Sequence, residues 1–189
     1  MDEYVDIRNA DGFLTGEKKL RSQVHMDGDI HGTSHIWLVR KKNGKEAEVL
    51  VQKRSGDKDS FPGCFDISSA GHVAAGDNYL DSAIREVKEE LGLVVKPEEL
   101  NFLFMHDAFY ETYFYGKPFR NHELSAVYIL WKDVDISCMK LQKEEVSMVK
   151  WMNYLELYQR IAEGDPAYCI YLSEYEKVKQ FIEGVSGIS

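Results

Sequence analysis

Long apolar runs are missing: nowhere in the 189 residues do 18 apolar residues follow one another, so no membrane-spanning helix is expected. Basic residues are in deficit, 23 Lys and Arg against 32 Asp and Glu for a net charge of -9, which argues against a basic surface for long nucleic acid. Cys64, Cys138 and Cys169 are odd in number, widely spaced and not in CxxC pairs. That excludes a disulfide framework and a zinc cluster, and the three are read as structural thiols. Met1-Asp2-Glu3 opens acidic where a signal peptide would be basic, so cytoplasm is the expected location. With four prolines, no linker-like stretch and no repeats, 44% hydrophobic content predicts one core and a single domain over residues 1–189.

What is present is concentrated between Gly71 and Leu93. At 100° per residue, Leu80, Ala83, Ile84, Val87 and Leu91 share one arc of about 100°, while Glu86, Glu89 and Glu90 gather on the flank and back of the same helix. Asn78 is an N-cap candidate with Asp81 three residues on, and Gly92 stands where a left-handed residue ends a helix, so the helix is predicted over about 78–91. A merely solvated face would space cations among its acids. Here Glu86 and Glu90 repel at i, i+4, a cost of about 0.3–0.5 kcal/mol that a bound cation would offset. Oxygen ligands on one face suit Mg²⁺ held against a polyphosphate.

The stretch Gly71, Arg85, Glu86, Val87, Glu89, Glu90, Gly92, Leu93 resembles the Nudix box, G-x5-E-x7-R-E-U-x-E-E-x-G-U with U aliphatic, over 23 residues. One position departs: Asp77 stands where the family has glutamate. The resemblance implies an α/β Nudix fold, a mixed β-sheet sandwiched between helices, and hydrolysis of a small-molecule diphosphate with Mg²⁺ or Mn²⁺. It assigns Glu86, Glu89 and Glu90 to metal binding or water activation, Arg85 to orienting a box glutamate, and the Gly71 carbonyl to a further metal contact. The catalytic base stays open among Glu86, Glu89, Glu123, Glu144 and Glu145. Lys53 and Arg54, at a strand end facing the glycine loop, are the phosphate-contact candidates, and Glu145 lies near the substrate mouth by the same resemblance.

Flanking sequence, Val49 to Ser55 and Phe61 to His72, is similar to the branch of Nudix proteins most like isopentenyl-diphosphate isomerase. There a catalytic cysteine stands two residues before a metal-binding histidine; this chain keeps His72 but has Ala70 in the cysteine's place. Alanine carries no proton for alkene chemistry, and Cys64 is read as a small hydrophobe. A nucleoside-diphosphate-type substrate is therefore expected, with isomerase-like chemistry and a non-catalytic diphosphate sensor as alternatives. By the isomerase resemblance His25, His31 and His72 would form a second metal site with Glu123. The plainer view is that they are ordinary polar residues, since spacing alone does not show that they converge.

Elsewhere, Tyr4–Ile7 and the Ala10–Phe13 turn predict a small hairpin in an N-terminal extension of about 1–30, and segments 35–39 and 48–52 flank a Lys42-Asn43-Gly44-Lys45 turn. Strands are predicted at 100–104, 124–131 and 149–152, and helices at about 153–162 and 173–183. The aromatic-rich hairpin Phe109 to Arg120 is read as core or homodimer packing, with base stacking as the alternative.

Overall fold

One strand organises the molecule, and its two halves differ. β3 (Ile30–Lys42) is buried from His31 to Val39, yet its first half carries His31, Thr33, Ser34 and His35 while residues 36–39 are apolar. The apolar half is core. In the polar half Thr33 and His35 line a cavity, while Ser34 turns the other way and donates to the Tyr79 carbonyl at 2.6 Å. In this computed structural model, which describes residues 3–42, 46–58 and 60–186, β3 pairs antiparallel with β1 (Tyr4–Arg8), β4 (Glu46–Arg54) and β6 (Ser69–His72), and parallel with β8 (Lys117–Trp131).

The rest of the nine-stranded mixed sheet follows from neighbouring hairpins. β2 (Leu14–Leu20) returns on β1, β5 (Phe65–Asp66) and β9 (Val146–Asn153) pair with β4, and β7 (Leu100–Phe114) pairs with β8 along its length. The expected N-terminal hairpin is thus present. Of the turn expected after β3, residues 43–45 lie outside the described residues.

Alternation along β3 and β4 sets the layers. Trp37, Val39, Val49 and Val51 face α3 (Tyr154–Ala162) and α4 (Leu172–Ser186), packing on Leu157, Ile161, Tyr175, Val178 and Ile182. Ile36, Leu38 and Leu50 point the other way, onto Ala83, Val87 and Leu91 of α2 (Tyr79–Leu91). Side chains that alternate across a pleat can fill a core on each side only if helices cover both faces, and this gives the mixed sheet between helices that the family resemblance implied. Each fully buried aliphatic contributes about 1.5–3 kcal/mol relative to exposure.

α2 matches the sequence reading nearly to the residue. The Asn78 side chain accepts from the Asp81 amide at 2.9 Å, and Gly92 closes the helix at φ 70°. The acidic face is less uniform than the helical arc implied. Glu89 is exposed, but Glu90 is 4% exposed, since a position three residues after Val87 lies on the border of the packed side.

α1 (Arg21–Asp27) was not foreseen: it is seven residues long, has no side-chain cap, and ends at Gly28 with φ 81°. A helix that short gives no periodic signal.

Candidate active site

Between α2 and the start of α4 lies a cavity of about 260 Å³. β6 runs through its wall and brings Ala70, Gly71 and His72 beside the α2 carboxylates. Gly71 is there for space: a Cβ would sit 2.5 Å from Glu86 Cγ and closer still to its carboxyl group. The Glu86 carboxylate therefore lies directly on the β6 backbone.

The three box glutamates occupy different environments. Glu90 Oε2 accepts from Ser69 Oγ at 2.6 Å and from the Ala70 amide at 3.2 Å. Burial pushes its pKa up to about 8, aided by the Glu86 charge and opposed by the Ser69 hydrogen bond. Burial likewise raises Glu86 to about 7, although Arg85 pulls the other way. Glu89 is half-exposed at 52% and free to meet solvent. Arg85 joins them, its Nη1 2.7 Å from Glu86 Oε1 and 3.3 Å from Glu89 Oε2, while Nη2 donates to the His72 carbonyl at 3.1 Å.

Glu86 and Glu90 should make the metal-free protein less stable as pH rises. Folding raises both pKa values above the ordinary 4.5, so these groups favour the native state fully below about pH 4.5 and lose that advantage as pH rises through about 7 and 8. Metal-free protein should melt at a lower temperature at pH 8 than at pH 5.5, and Glu90→Gln should flatten the dependence. Thermal melts in EDTA across this range check it; an unchanged slope in the variant would assign the effect to other groups.

Opposite α2 stand the histidines that spacing did not bring together. His25, His31 and His72 place ring nitrogens within 4.8 Å of one another. Glu123 Oε1 lies 3.9 Å from His31 Nε2 and 3.8 Å from His72 Nε2. Spacing could not show this convergence because it is a matter of pairing: β3–β6 and β3–β8 contacts align residues 31–33, 72 and 123, and α1 supplies His25. His31 Nδ1 is 3.0 Å from the Asp29 carbonyl, which turns Nε2 toward the group. Both nitrogens of His25 and the Nε2 atoms of His31 and His72 are buried without a hydrogen-bond partner among the described residues. Burial and the neighbouring positive groups lower His25 to about 3 and His72 well below its ordinary value. Neutral imidazoles with open lone pairs are what a transition-metal ion requires.

Strand alternation separates the two expected phosphate contacts. Arg54 lines the cavity, held by Asp66 Oδ2 at 2.9 Å and the Ser60 carbonyl at 3.0 Å. Lys53 points to the other side of β4, its Nζ 5.8 Å from the Phe65 ring centre, and does not line the cavity. Lys58, paired with Glu145, and Arg21, 3.2 Å from Glu3, line it instead. Glu145 is thus at the mouth, whereas Glu144 does not line the cavity. Of the aromatic hairpin, Tyr110 and Phe119 face the cavity and Tyr113 and Tyr115 are exposed. Cys169 also lines it, burial raising its thiol pKa, while Cys64 does not.

The floor holds a group the sequence reading missed. Glu174, 1% exposed on α4, accepts from His35 Nδ1 at 2.8 Å and from Trp37 Nε1 at 2.8 Å, with His106 Nδ1 at 3.2 Å. Burial alone would lower His35, but the Glu174 charge raises it to about 9; the two histidines in turn hold Glu174 well below the ordinary carboxylate range.

A glycine-spaced loop, a helix carrying Arg85, Glu86, Glu89 and Glu90, and a strand packed on it form the arrangement the box motif requires, and the NUDIX domain model matches residues 31–171. The chain belongs to the Nudix hydrolase family. It is 40% identical over 187 residues to Nudix hydrolase 3 of Arabidopsis thaliana, a match that covers 96% of this chain but 23% of that protein. The present chain therefore corresponds to under a quarter of that relative. An uncharacterized Nudix hydrolase of Clostridium acetobutylicum is 38% identical over 146 residues, 77% of this chain and 67% of that one. Among solved structures, DR0079 from Deinococcus radiodurans has the same Nudix fold, with a TM-score of 0.62 at 22% identity over 86% of this chain and 90% of the other. No helix among the described residues is long and apolar enough to cross a membrane.

Proposed function

We propose that this Nudix hydrolase cleaves a diphosphate linkage in a nucleoside-diphosphate-type substrate, with Mg²⁺ or Mn²⁺ held by Glu86, Glu89, Glu90 and the Gly71 carbonyl. The observation that carries this reading is the pairing of a buried carboxylate, Glu90, with a partly buried one, Glu86, one helical turn apart and both raised in pKa on the wall of one cavity. Such a pair is costly without a cation, and an all-oxygen donor set fits a hard divalent ion. A bound ion of this kind would neutralise diphosphate oxygens, acidify a water and stabilise charge at the attacked phosphorus.

The side chains divide the remaining work. Arg85 holds Glu86 in place; in this reading Glu89, half-exposed on the cavity wall, takes a proton from water, and Arg54, Lys58 and Arg21 offer positive charge to phosphate oxygens. The orphaned nitrogens of His25, His31 and His72, with Glu123, fit a second, softer cation. Three free thiols suit a cytoplasmic setting.

An isomerase-like reading draws support from the same histidine group. It lacks its acid: Ala70 lines the cavity where a cysteine would be needed, and Cys64 lies elsewhere, its Sγ 3.7 Å from the Pro166 carbonyl. The deciding experiment is a phosphate-release screen with Mg²⁺ over nucleotides, nucleotide sugars, dinucleotides and isoprenoid diphosphates, alongside an assay for interconversion of isopentenyl and dimethylallyl diphosphate. Release of phosphate or a nucleoside monophosphate without interconversion is expected. Robust isomerisation by the pure protein would overturn the hydrolase reading.

A further inference from the structure

One cavity group has no task in the hydrolysis described so far. The His35 imidazole lines the cavity, gives Nδ1 to Glu174 Oε2 at 2.8 Å, and has no partner for Nε2 among the described residues. Glu174 is itself fixed: Trp37 Nε1 donates to its other oxygen at 2.8 Å, and His106 Nδ1 stands 3.2 Å from Oε2. His106 is tied in turn, its Nε2 3.1 Å from Ser173 Oγ. A carboxylate held on both oxygens cannot follow a turning ring, so the imidazole keeps one edge toward the cavity. Ala70 lies directly across from His35 in the β3–β6 pairing, and its amide meets Glu90 Oε2 at 3.2 Å. Residues so opposed share a face of the sheet, with Cβ atoms about 4.5–5.5 Å apart. Ala70 thus stands between the ring and the carboxylate end of the cavity, and its methyl group is too small to cover the ring.

We propose that His35 is the proton donor of the hydrolysis, giving its Nε2 proton to the bridging oxygen as the diphosphate parts, and that Glu174 is the residue that positions it. The proposal rests on the diphosphate-hydrolase reading and adds to it the group that serves the leaving side. A water oxygen forms a bond to one phosphorus and gives its proton to a carboxylate. The bond from that phosphorus to the bridging oxygen breaks, the electron pair stays on that oxygen, and the Nε2 proton neutralises it. Solvent then returns a proton to the imidazole. The surroundings suit this role. Burial would lower the His35 pKa, but the Glu174 charge, with Glu123 of β8 and Asp66 of β5 adding to it, raises it to about 9. Asp66 is shared with Arg54 of β4, and His106 of β7 and Tyr171 complete the titratable groups around the ring. A ring that keeps its proton at neutral pH enters each turnover ready to give it.

The test is steady-state kinetics from pH 5.5 to 9 on the diphosphate cleaved fastest in the screen, with wild type, His35→Gln and Glu174→Gln and a thermal melt of each. Glutamine in place of His35 can donate a hydrogen bond but has no acidic proton. At pH 8 both variants should turn over about a hundredfold more slowly than wild type, with KM within about threefold. Toward pH 5.5 Glu174→Gln should recover at least about tenfold relative to wild type at the same pH, because the ring without its carboxylate still takes up a proton in acid. His35→Gln should not recover. Near-wild-type kcat in His35→Gln, or a loss in Glu174→Gln that is the same at every pH, would overturn the proton donor and leave hydrolysis in place. No release from any diphosphate would instead sink the hydrolase reading, and the donor with it. Interconversion of isoprenoid diphosphates that His35→Gln abolishes would move the donor to an alkene carbon and overturn both. If the variants melt early, magnetic resonance of wild type carrying isotope-labelled histidine decides: one imidazolium should persist at pH 8, and its Nε2 signal should move when Mg²⁺ and methylenediphosphonate are added. A signal that is absent or does not move would overturn the proposal.

Discussion

Turnover by Glu89→Gln and Glu90→Gln proteins should fall by about two orders of magnitude or more, on the scale of a lost contribution of about 3 kcal/mol, while both proteins fold. The structure explains why the fold survives each change for a different reason. Glu89 is half-exposed, and glutamine has similar helix propensity. Glu90 is buried, but Oε2 acts only as an acceptor, from Ser69, Ala70 and, at 3.5 Å, Gln52, a role an amide oxygen can keep. Removing its charge also relieves the repulsion from Glu86 that helps raise its pKa. What is lost is a carboxylate from the cation site. Turnover measured against Mg²⁺ concentration, with melts in metal and in EDTA, checks both halves. Near-wild-type turnover and metal response in both variants would show that these two carboxylates hold no cation needed for turnover and remove the basis of the enzymatic reading.

Gly71→Ala should be comparably damaging through a single methyl group. Gly71 pairs with Ser34 across β6 and β3 and needs no left-handed backbone, so alanine suits its conformation. The obstacle is Glu86, whose side chain occupies the space a Cβ would take. Either the carboxylate swings away or α2 lifts from β6. The expected result is a turnover loss of about a hundredfold and a destabilisation of about 1–3 kcal/mol from overpacking. Adding Glu86→Ala to Gly71→Ala should restore much of the melting temperature and none of the turnover, because the clash would be gone along with the ligand. Such a cycle isolates the contact. Wild-type stability and turnover in Gly71→Ala alone would show that α2 and β6 part easily and that the close approach has no functional role.

What could be read from the sequence was whatever is local. The α2 helix, its Asn78 cap, its Gly92 stop and its grouped glutamates all lie within a few turns of one another, where 3.6-residue geometry is decisive. The N-terminal hairpin and the two C-terminal helices were legible for the same reason. Lys53 shows a local signal overlooked: adjacent strand residues point to opposite faces, so Lys53 and Arg54 could not both face one cavity. The histidine group was hidden because His25, His31 and His72 come from α1, β3 and β6, and only strand pairing aligns them. Glu174 was hidden more deeply. A glutamate near a helix N-terminus reads as a solvated, dipole-favoured residue, and nothing nearby in sequence announces that His35 and Trp37 will meet it.

The contact between His35 and Glu174 spans 139 positions of the chain. During synthesis from the N-terminal end, the box helix and the histidine strand therefore emerge long before the residue that anchors the floor beneath them. The β8 strand that pairs with β3 along its length is likewise made after α2. Contacts this distant form late, after most of the chain's loop entropy has been surrendered. A partly synthesised chain that lacks α4 therefore carries the α2 carboxylates but not the Glu174 anchor of the His35 ring.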